Sequence, residues 1–297
     1  MNGDSFGNNL IVTTKGSSHD LYEELFIDNY PSGIVVDYDL IGSDLARRRP
    51  QYDVDTPRNE VDRYEILSGV EDGKTNGNRI YVRVENRKVD SSKYEFLNDF
   101  YRPSHADYVY EKKYGKQMEP GGGRFSARET VMRVVAGSFA KMLLNEKLSH
   151  NKIEFYTWTY SVGNLYCEDF EEKLPDYMLD YLREIRKDGD SVGGSVRCVM
   201  KNVPAGIGEP VFHKLHACLG YAMLSIPAAR AFEVGRGVNA SSMKGSEHND
   251  CFMLDEISRQ VVPAKNDAGG IIGGVSSGQD IIITVHFKPL ASIRKPQ

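Results

Sequence analysis

Between residues 127 and 143, apolar side chains recur three and four positions apart: Val131, Val134, Val135, Phe139, Met142 and Leu143. That spacing predicts an amphipathic helix starting near Ala127, with the stripe turned into a core. Pro210, a favoured first helical residue, predicts a second helix carrying Phe212, Leu215, Leu219 and Met223, with His216 packed beside the stripe. A third helix is expected over 175–187, before Gly189. β-Branched residues between turn signals predict strands at 33–37, 80–85, 195–200 and 280–287. Strands interspersed with helices imply a mixed architecture of both elements. No linker composition or repeat interrupts the pattern, so a single domain over 1–297 is expected.

Composition narrows the classes of partner. The chain has 37 basic and 42 acidic residues, a net charge of −5, which gives no global attraction to nucleic acid or anionic membranes. Its 17 tyrosines and one tryptophan form no basic-aromatic ladder for base stacking. No apolar run approaches the ~20 residues that span a bilayer, and no signal peptide is recognisable at the N-terminus. Cys167, Cys198, Cys218 and Cys251 are widely spaced, without a Cys-x-x-Cys pair or zinc-ligand pattern. They read as free thiols in a reducing, cytoplasmic compartment, and no metal site is expected.

Any anion site must therefore be local, and residues 121–130, GGGRFSARET, are its best candidate. Ser126 and Glu129 fit a capping box at the start of the strong helix, and are expected to cap it without help from Arg128. A glycine run entering a helix exposes backbone N–H donors, while Arg124 and Arg128 add fixed positive charge suited to phosphate or carboxylate. The same residues serve equally well as a helix start that is merely well capped. Arg47, Arg48 and Arg49 form a second basic cluster, of the kind that commonly ends a solvated helix. His19 in GSSHD and His105 in RPSHAD lie among small and polar residues, where an imidazole can act as an acid near neutral pH.

Taken in order, the segments GSSHD (16–20), PSGI (31–34), DLARRRP (44–50), TPRNE (56–60), LSGVEDGKTNG (67–77), RPSHADYVYEKKYG (102–115), GGGRFSARET (121–130), GDSVGG (189–194) and VPAGIGEPVFHKL (203–215) resemble chorismate synthases along nearly the whole chain. MLSIPAA, KGSEHND, AGGIIGG and FKPLASI continue the series. Many colinear segments make a far more specific signal than one glycine-rich loop.

The resemblance implies an α+β fold, a single-domain sandwich in which β-sheets enclose helices, and assembly as a homotetramer. It implies a lyase of the shikimate pathway that eliminates phosphate from 5-enolpyruvylshikimate-3-phosphate to give chorismate. Reduced FMN would be required without net redox change, and NADPH would enter only as a reductant for the flavin. Carried onto matching positions, His19 becomes the proton donor near the leaving phosphate and His105 lies beside the flavin, supported by Ser18 and Ser126. Arg48, Arg102 and Arg128 match substrate-contacting arginines. Arg124, Phe125, Ser126, Pro227, Ala228, Gly273, Lys288, Pro289, Leu290, Ala291 and Ser292 match the FMN site. A homologue that keeps the fold without turnover, and a flavin reductase, are the rival readings.

Several positions depart from the family pattern. GSSHD stands where GESHG is usual, removing a carboxylate at Ser17 and adding one at Asp20. Gln117 to Pro120 replace an R-D-x-R segment, so two expected arginines are missing. Phe125 stands for a serine, Gln51 for a glycine, and Asp53-Val54-Asp55 where another arginine is frequent. Family members continue past the FKPxxSI segment to a Gly-Arg-His-Asp-Pro segment that this chain is expected to lack.

Overall fold

The computed structural model describes residues 3–18, 20–56, 59–86, 100–256, 259 and 261–297, which divide into two units, Met1–Ser149 and His150–Pro296. In the first, β1 (Ser5–Phe6), β2 (Ile11–Lys15), β3 (Tyr22–Asp28), β4 (Tyr64–Ser68) and β7 (Ile80–Glu85) form an antiparallel sheet of order β1-β2-β3-β7-β4. A separate hairpin pairs β5 (Val70–Glu71) with β6 (Lys74–Thr75). Among the described residues, the α-helices that accompany them are α1 (Tyr38–Ala46), α2 (Asp107–Tyr114) and α3 (Thr130–Lys147).

Strict alternation decides which face of this sheet is buried. In β7, Ile80, Val82 and Val84 are fully buried, and in β3 Leu25 and Ile27 share that phase. The apolar stripe of α3 covers them, with Val131, Met132, Val135 and Phe139 in the same cluster. Fully burying each large apolar side chain contributes about 1.5–3 kcal/mol. Tyr30 clamps the layer: its ring meets Phe139 edge-on at 5.8 Å, and its hydroxyl donates to the Phe139 carbonyl at 2.8 Å. Asp44 links α1 to α3, accepting from Ser138 Oγ at 2.8 Å and pairing with Lys141 at 2.7 Å.

The second unit contains β8 (Glu154–Val162), β9 (Leu165–Tyr166), α4 (Asp176–Lys187), β10 (Gly194–Lys201), α5 (Leu215–Leu224), β11 (Ala229–Val234) and α6 (Gly245–His248). The short strands β12 (Phe252–Leu254), β13 (Val261–Pro263), β14 (Ile271–Ile272) and β15 (Val275–Ser276) precede β16 (Ile281–Phe287). The main sheet runs β11-β16-β10-β8-β9, all neighbours antiparallel. Along β10, Val199 packs with Trp158, Met178 and Leu182, whereas Cys198 and Met200 pack with Ile283, Leu215 and Leu219. The period of two therefore places α4 and α5 over opposite faces of this sheet.

The helices and antiparallel sheets agree with the expected α+β class. The strand at 80–85 is found residue for residue, and those at 195–200 and 280–287 shift by a residue at their ends. The helix expected over 175–187 is α4, which starts one residue later with Pro175 as its N-cap. Three local expectations fail. Residues 33–37 make a single bridge, Val35 to Lys74, and Val35 is 61% exposed. The helix expected from Pro210 begins only at Leu215: Glu209 N–H donates to the His213 carbonyl in a tight turn, and Phe212 and His216 are exposed. Gly208 explains the delay. Its φ is +122°, and an added Cβ would lie 2.3 Å from the Gly274 carbonyl, so the backbones meet where a helix would have to start.

The capping box forms by half. Ser126 Oγ accepts from Arg128 N–H at 3.3 Å, but the Ser126 N–H is taken by Gly123, and Glu129 turns to Arg133 at 2.8 Å. A short 3-10 turn over Ala127–Glu129 precedes the α-helix at this end.

Candidate active site

The glycine run and the GSSHD loop meet in the first unit. Gly121, Gly122 and Gly123 all have positive φ, and Gly123 combines φ 50° with ψ −128°, a conformation open essentially to glycine. This contortion aims the Gly123 carbonyl at two N–H groups, of Ser18 and of Ser126, each 3.3 Å away. One backbone oxygen thus joins the two motifs.

Further contacts hold the loop and the strand before it. Arg124 Nη1 donates to the Gly16 carbonyl at 3.1 Å, and its Nη2 reaches the Thr14 carbonyl at 3.1 Å and the Thr14 hydroxyl at 3.0 Å. Asp4 adds a more exposed partner at 3.0 Å. Asn86 Nδ2 donates to the Ser18 carbonyl at 2.7 Å, and Ser17 and Ser18 are buried. His19 itself lies outside the described residues.

Arg48 and Arg128 are brought together by a residue that motif reading missed. Asp62 accepts from Arg48 Nη1 at 2.5 Å through one oxygen and from Arg128 Nη1 at 2.6 Å through the other. Arg48 also donates to Thr130 Oγ1 at 3.2 Å, and Arg128 to the Glu85 carbonyl at 3.3 Å. Two guanidinium groups thus share one carboxylate. Arg128 Nε is buried without a hydrogen-bond partner among the described residues. Asp62 also lines a surface cleft of about 500 Å³ with Arg49, Arg63 and Leu45.

Arg102 and His105 stand at the entry to α2. Arg102 makes a two-pronged contact with Asp107, Nε at 2.8 Å and Nη2 at 2.7 Å, and its N–H donates to the same carboxylate at 3.0 Å. These hydrogen bonds hold the Asp107 carboxyl below the usual carboxylate range. His105 Nδ1 donates to the Pro103 carbonyl at 3.0 Å, since a carbonyl can only accept. Phe125 is 47% exposed and meets Tyr110 edge-on at 5.9 Å.

Glu23 is the second residue that motif reading passed over. It is fully buried in β3, and neither carboxylate oxygen has a hydrogen-bond partner among the described residues. Burial pushes its carboxyl up to about 7, against the pull of Arg124 and Arg128. Phase would have found it: Glu23 shares the inward register of Leu25 and Ile27, where an acid is out of place.

The remaining predicted positions lie in the second unit. The Lys288 N–H donates to the Ala228 carbonyl at 3.0 Å, joining Pro227-Ala228 to the segment 288–292. Ala228 takes a φ of +68°. The loop 189–194 supports that segment, with Ser191 Oγ donating to the Leu290 carbonyl at 2.6 Å. Leu290 is 71% exposed, whereas Lys288 and Ala291 are half-buried. Gly273 sits at the turn between β14 and β15, and an added Cβ there meets nothing within 4 Å. Among the described residues, no group of three His, Cys, Asp or Glu side chains could hold a metal ion.

The chorismate synthase family model matches residues 10–297. The chain belongs to the chorismate synthase family. It is 46% identical to the chorismate synthase of Christiangramia forsetii, over all of this chain and 86% of that protein. It is 43% identical to that of Flavobacterium psychrophilum, again over the whole chain and 86% of the relative, and 43% to that of Prochlorococcus marinus strain NATL2A, over 99% and 86%. A crystal structure of chorismate synthase superposes with a TM-score of 0.74 at 26% identity, covering 95% of this chain and 84% of the other. The chain is thus an enzyme of the chorismate synthase type, with the family fold. Among the described residues, no helix is long and apolar enough to cross a membrane.

Proposed function

We propose that the chain converts 5-enolpyruvylshikimate-3-phosphate to chorismate by anti-1,4-elimination of phosphate, with reduced FMN and no net redox change. The observation that carries this reading is the junction at Gly123, which holds the GSSHD loop against the helix start bearing Arg128. In the elimination a ring C–H bond breaks with loss of a proton, a new double bond forms, and phosphate departs with the electron pair of its C–O bond. Charge then builds on the departing oxygens, where arginines contribute most to lowering the barrier. Arg48 and Arg128, brought together on Asp62, fit that task, and Arg102 adds a third guanidinium whose orientation Asp107 sets. His19 donates a proton to the leaving phosphate, and Ser18 and Ser126 hold the loop around it. His105 serves beside the flavin, with Nδ1 engaged by Pro103.

The residues present fit FMN. The second unit offers open space at Gly273, the exposed apolar Leu290, and Lys288, whose backbone N–H is bound to the Ala228 carbonyl. With Pro289, Ala291 and Ser292 these would hold the flavin there, and in the first unit Phe125 and Ser126 are the matching positions, with Arg124 supporting them through the loop. When bound in its reduced form, FMN supplies transient electron density that eases cleavage of the allylic C–O bond. NADPH serves only to reduce free or bound flavin. The protein works in the cytoplasm, consistent with four unpaired cysteines, as a homotetramer. The exposed apolar side chains of β12 and β13, Phe252, Met253, Leu254 and Val261, support such assembly.

The test is an anaerobic assay with chemically reduced FMN and 5-enolpyruvylshikimate-3-phosphate, beside an FMN titration. Stoichiometric release of chorismate and phosphate without net flavin oxidation is expected. Flavin binding without turnover would overturn the catalytic reading, and failure to bind FMN would overturn the cofactor positions.

A further inference from the structure

A buried carboxyl without a hydrogen-bond partner is costly, and one surrounded by arginines invites a reason for its place. Glu23 lies beneath the GSSHD loop: a Cβ added at Gly16 would come within 2.8 Å of its Oε2 and 3.0 Å of its Cα. The charges acting on it are Arg124 and Arg128, which favour the carboxylate, and Glu129 and Asp20, which oppose it. On the neighbouring strand its register partner is Val84, which offers no hydrogen-bonding group from its side chain.

The arginines around it are held by named partners. Arg48 and Arg128 share the single carboxylate of Asp62. Arg124 directs its terminal nitrogens to the carbonyls and hydroxyl of Thr14 and Gly16, which are dipoles, and to the exposed Asp4. Glu129 is paired with Arg133. Glu23 is the buried acid on which Arg124 and Arg128 act, so its charge state sets how much of their field reaches any other anion.

We propose that Glu23 is a positioning residue for the anion site: its neutral form leaves the field of Arg124 and Arg128 available to an incoming oxyanion, and its ionised form competes with that oxyanion. The proposal rests on the reading above that these arginines serve the substrate's phosphate. Linkage fixes the sign. An oxyanion favours the protonated carboxyl, so binding takes up a proton, and affinity falls as pH rises through neutrality.

Sulfate is the probe, because it stays a dianion from pH 6 to pH 8. Isothermal calorimetry on the intact wild-type protein should show affinity falling about fivefold from pH 6 to pH 8, most of the tenfold that a one-unit pKa displacement gives in full. Buffers of different ionisation enthalpy should reveal proton uptake. E23Q, isosteric and permanently neutral, should bind sulfate tightly at both pH values, and should flatten the pH dependence of KM for 5-enolpyruvylshikimate-3-phosphate more than that of kcat. A pH dependence unchanged in E23Q would assign the titration to a histidine and overturn the proposal alone. Should E23Q not fold, NMR of wild type labelled with carboxyl-¹³C glutamate decides. One carboxyl titrating near 7, with its midpoint raised by saturating sulfate, supports the proposal, and its absence overturns it. If wild type binds no sulfate at pH 6, the anion-site reading itself falls.

Discussion

Arg128 donates to Asp62 at 2.6 Å with both side chains only 7% exposed, so the guanidinium most naturally assigned to substrate is also a buried structural ion. Removing one partner of a buried pair leaves the other charge without compensation, typically at 3–5 kcal/mol. Arg48 still reaches Asp62, which softens the loss. R128A is therefore expected to destabilise the first unit by about 2–4 kcal/mol in urea unfolding, against the expectation from capping alone that folding is spared. Adding D62A should cost less than the sum of the two single changes. Strict additivity would deny the coupling.

Glu23 makes stability depend on pH independently of any ligand. Its folded-state pKa is raised to about 7 from an ordinary 4.5, so between those values the native state binds more protons than the unfolded chain. Stability therefore declines as pH rises from about 4.5 to 7 and loses no more above that. The full penalty is on the order of 3 kcal/mol. E23Q is expected to melt higher than wild type at pH 8 and close to it at pH 4.5, by thermal denaturation at the two pH values.

Gly123 should tolerate no side chain. An added Cβ would sit 2.9 Å from Glu119 Oε2, and the backbone conformation itself is costly for any L residue, about 1–3 kcal/mol. In G123A the carbonyl turns away from both loops. Hydrogen exchange should then quicken together at the Ser18 and Ser126 amides, which share it as acceptor. Faster exchange at only one of them would contradict the shared junction.

Asp107 contributes in the opposite pH range to Glu23. Arg102 lowers its pKa on folding, so its stabilisation is present above the unfolded value and is lost as pH falls through the folded one. D107N should remove charge-assisted hydrogen bonds worth about 1.5–3 kcal/mol at neutral pH. Acid titration of stability should show a shallower acid limb than in wild type. It should also raise KM for 5-enolpyruvylshikimate-3-phosphate more than it lowers kcat, because Arg102 loses the partner that orients it.

Legibility in the sequence followed the range of the interaction. The 80–85 strand and the α3 stripe were readable because alternation and helical spacing are local records of one buried face. Pro210 misled because the obstacle to a helix there is the Gly274 backbone, 66 residues from Gly208 by number. The motifs at 16–20 and 121–130 pointed to their region, but nothing in either shows that Gly123 joins them. Asp62 escaped notice for the same reason: its partner Arg128 is 66 positions away, and a lone aspartate before a strand looks like surface. Glu23 was legible in principle, as an acid in the buried phase of β3, and was masked by the adjacent Glu24 in the opposite phase.

In the second unit, β16 lies between β11 and β10 although it is the last strand in the chain. The first sheet uses only strands that have all been made by Glu85. As the chain leaves the ribosome, the first sheet can therefore close early, while β10 and β11 wait for residues 281–287 with edges unpaired. Synthesis thus leaves those two strand edges open to chaperones and to neighbouring nascent chains until the last strand emerges.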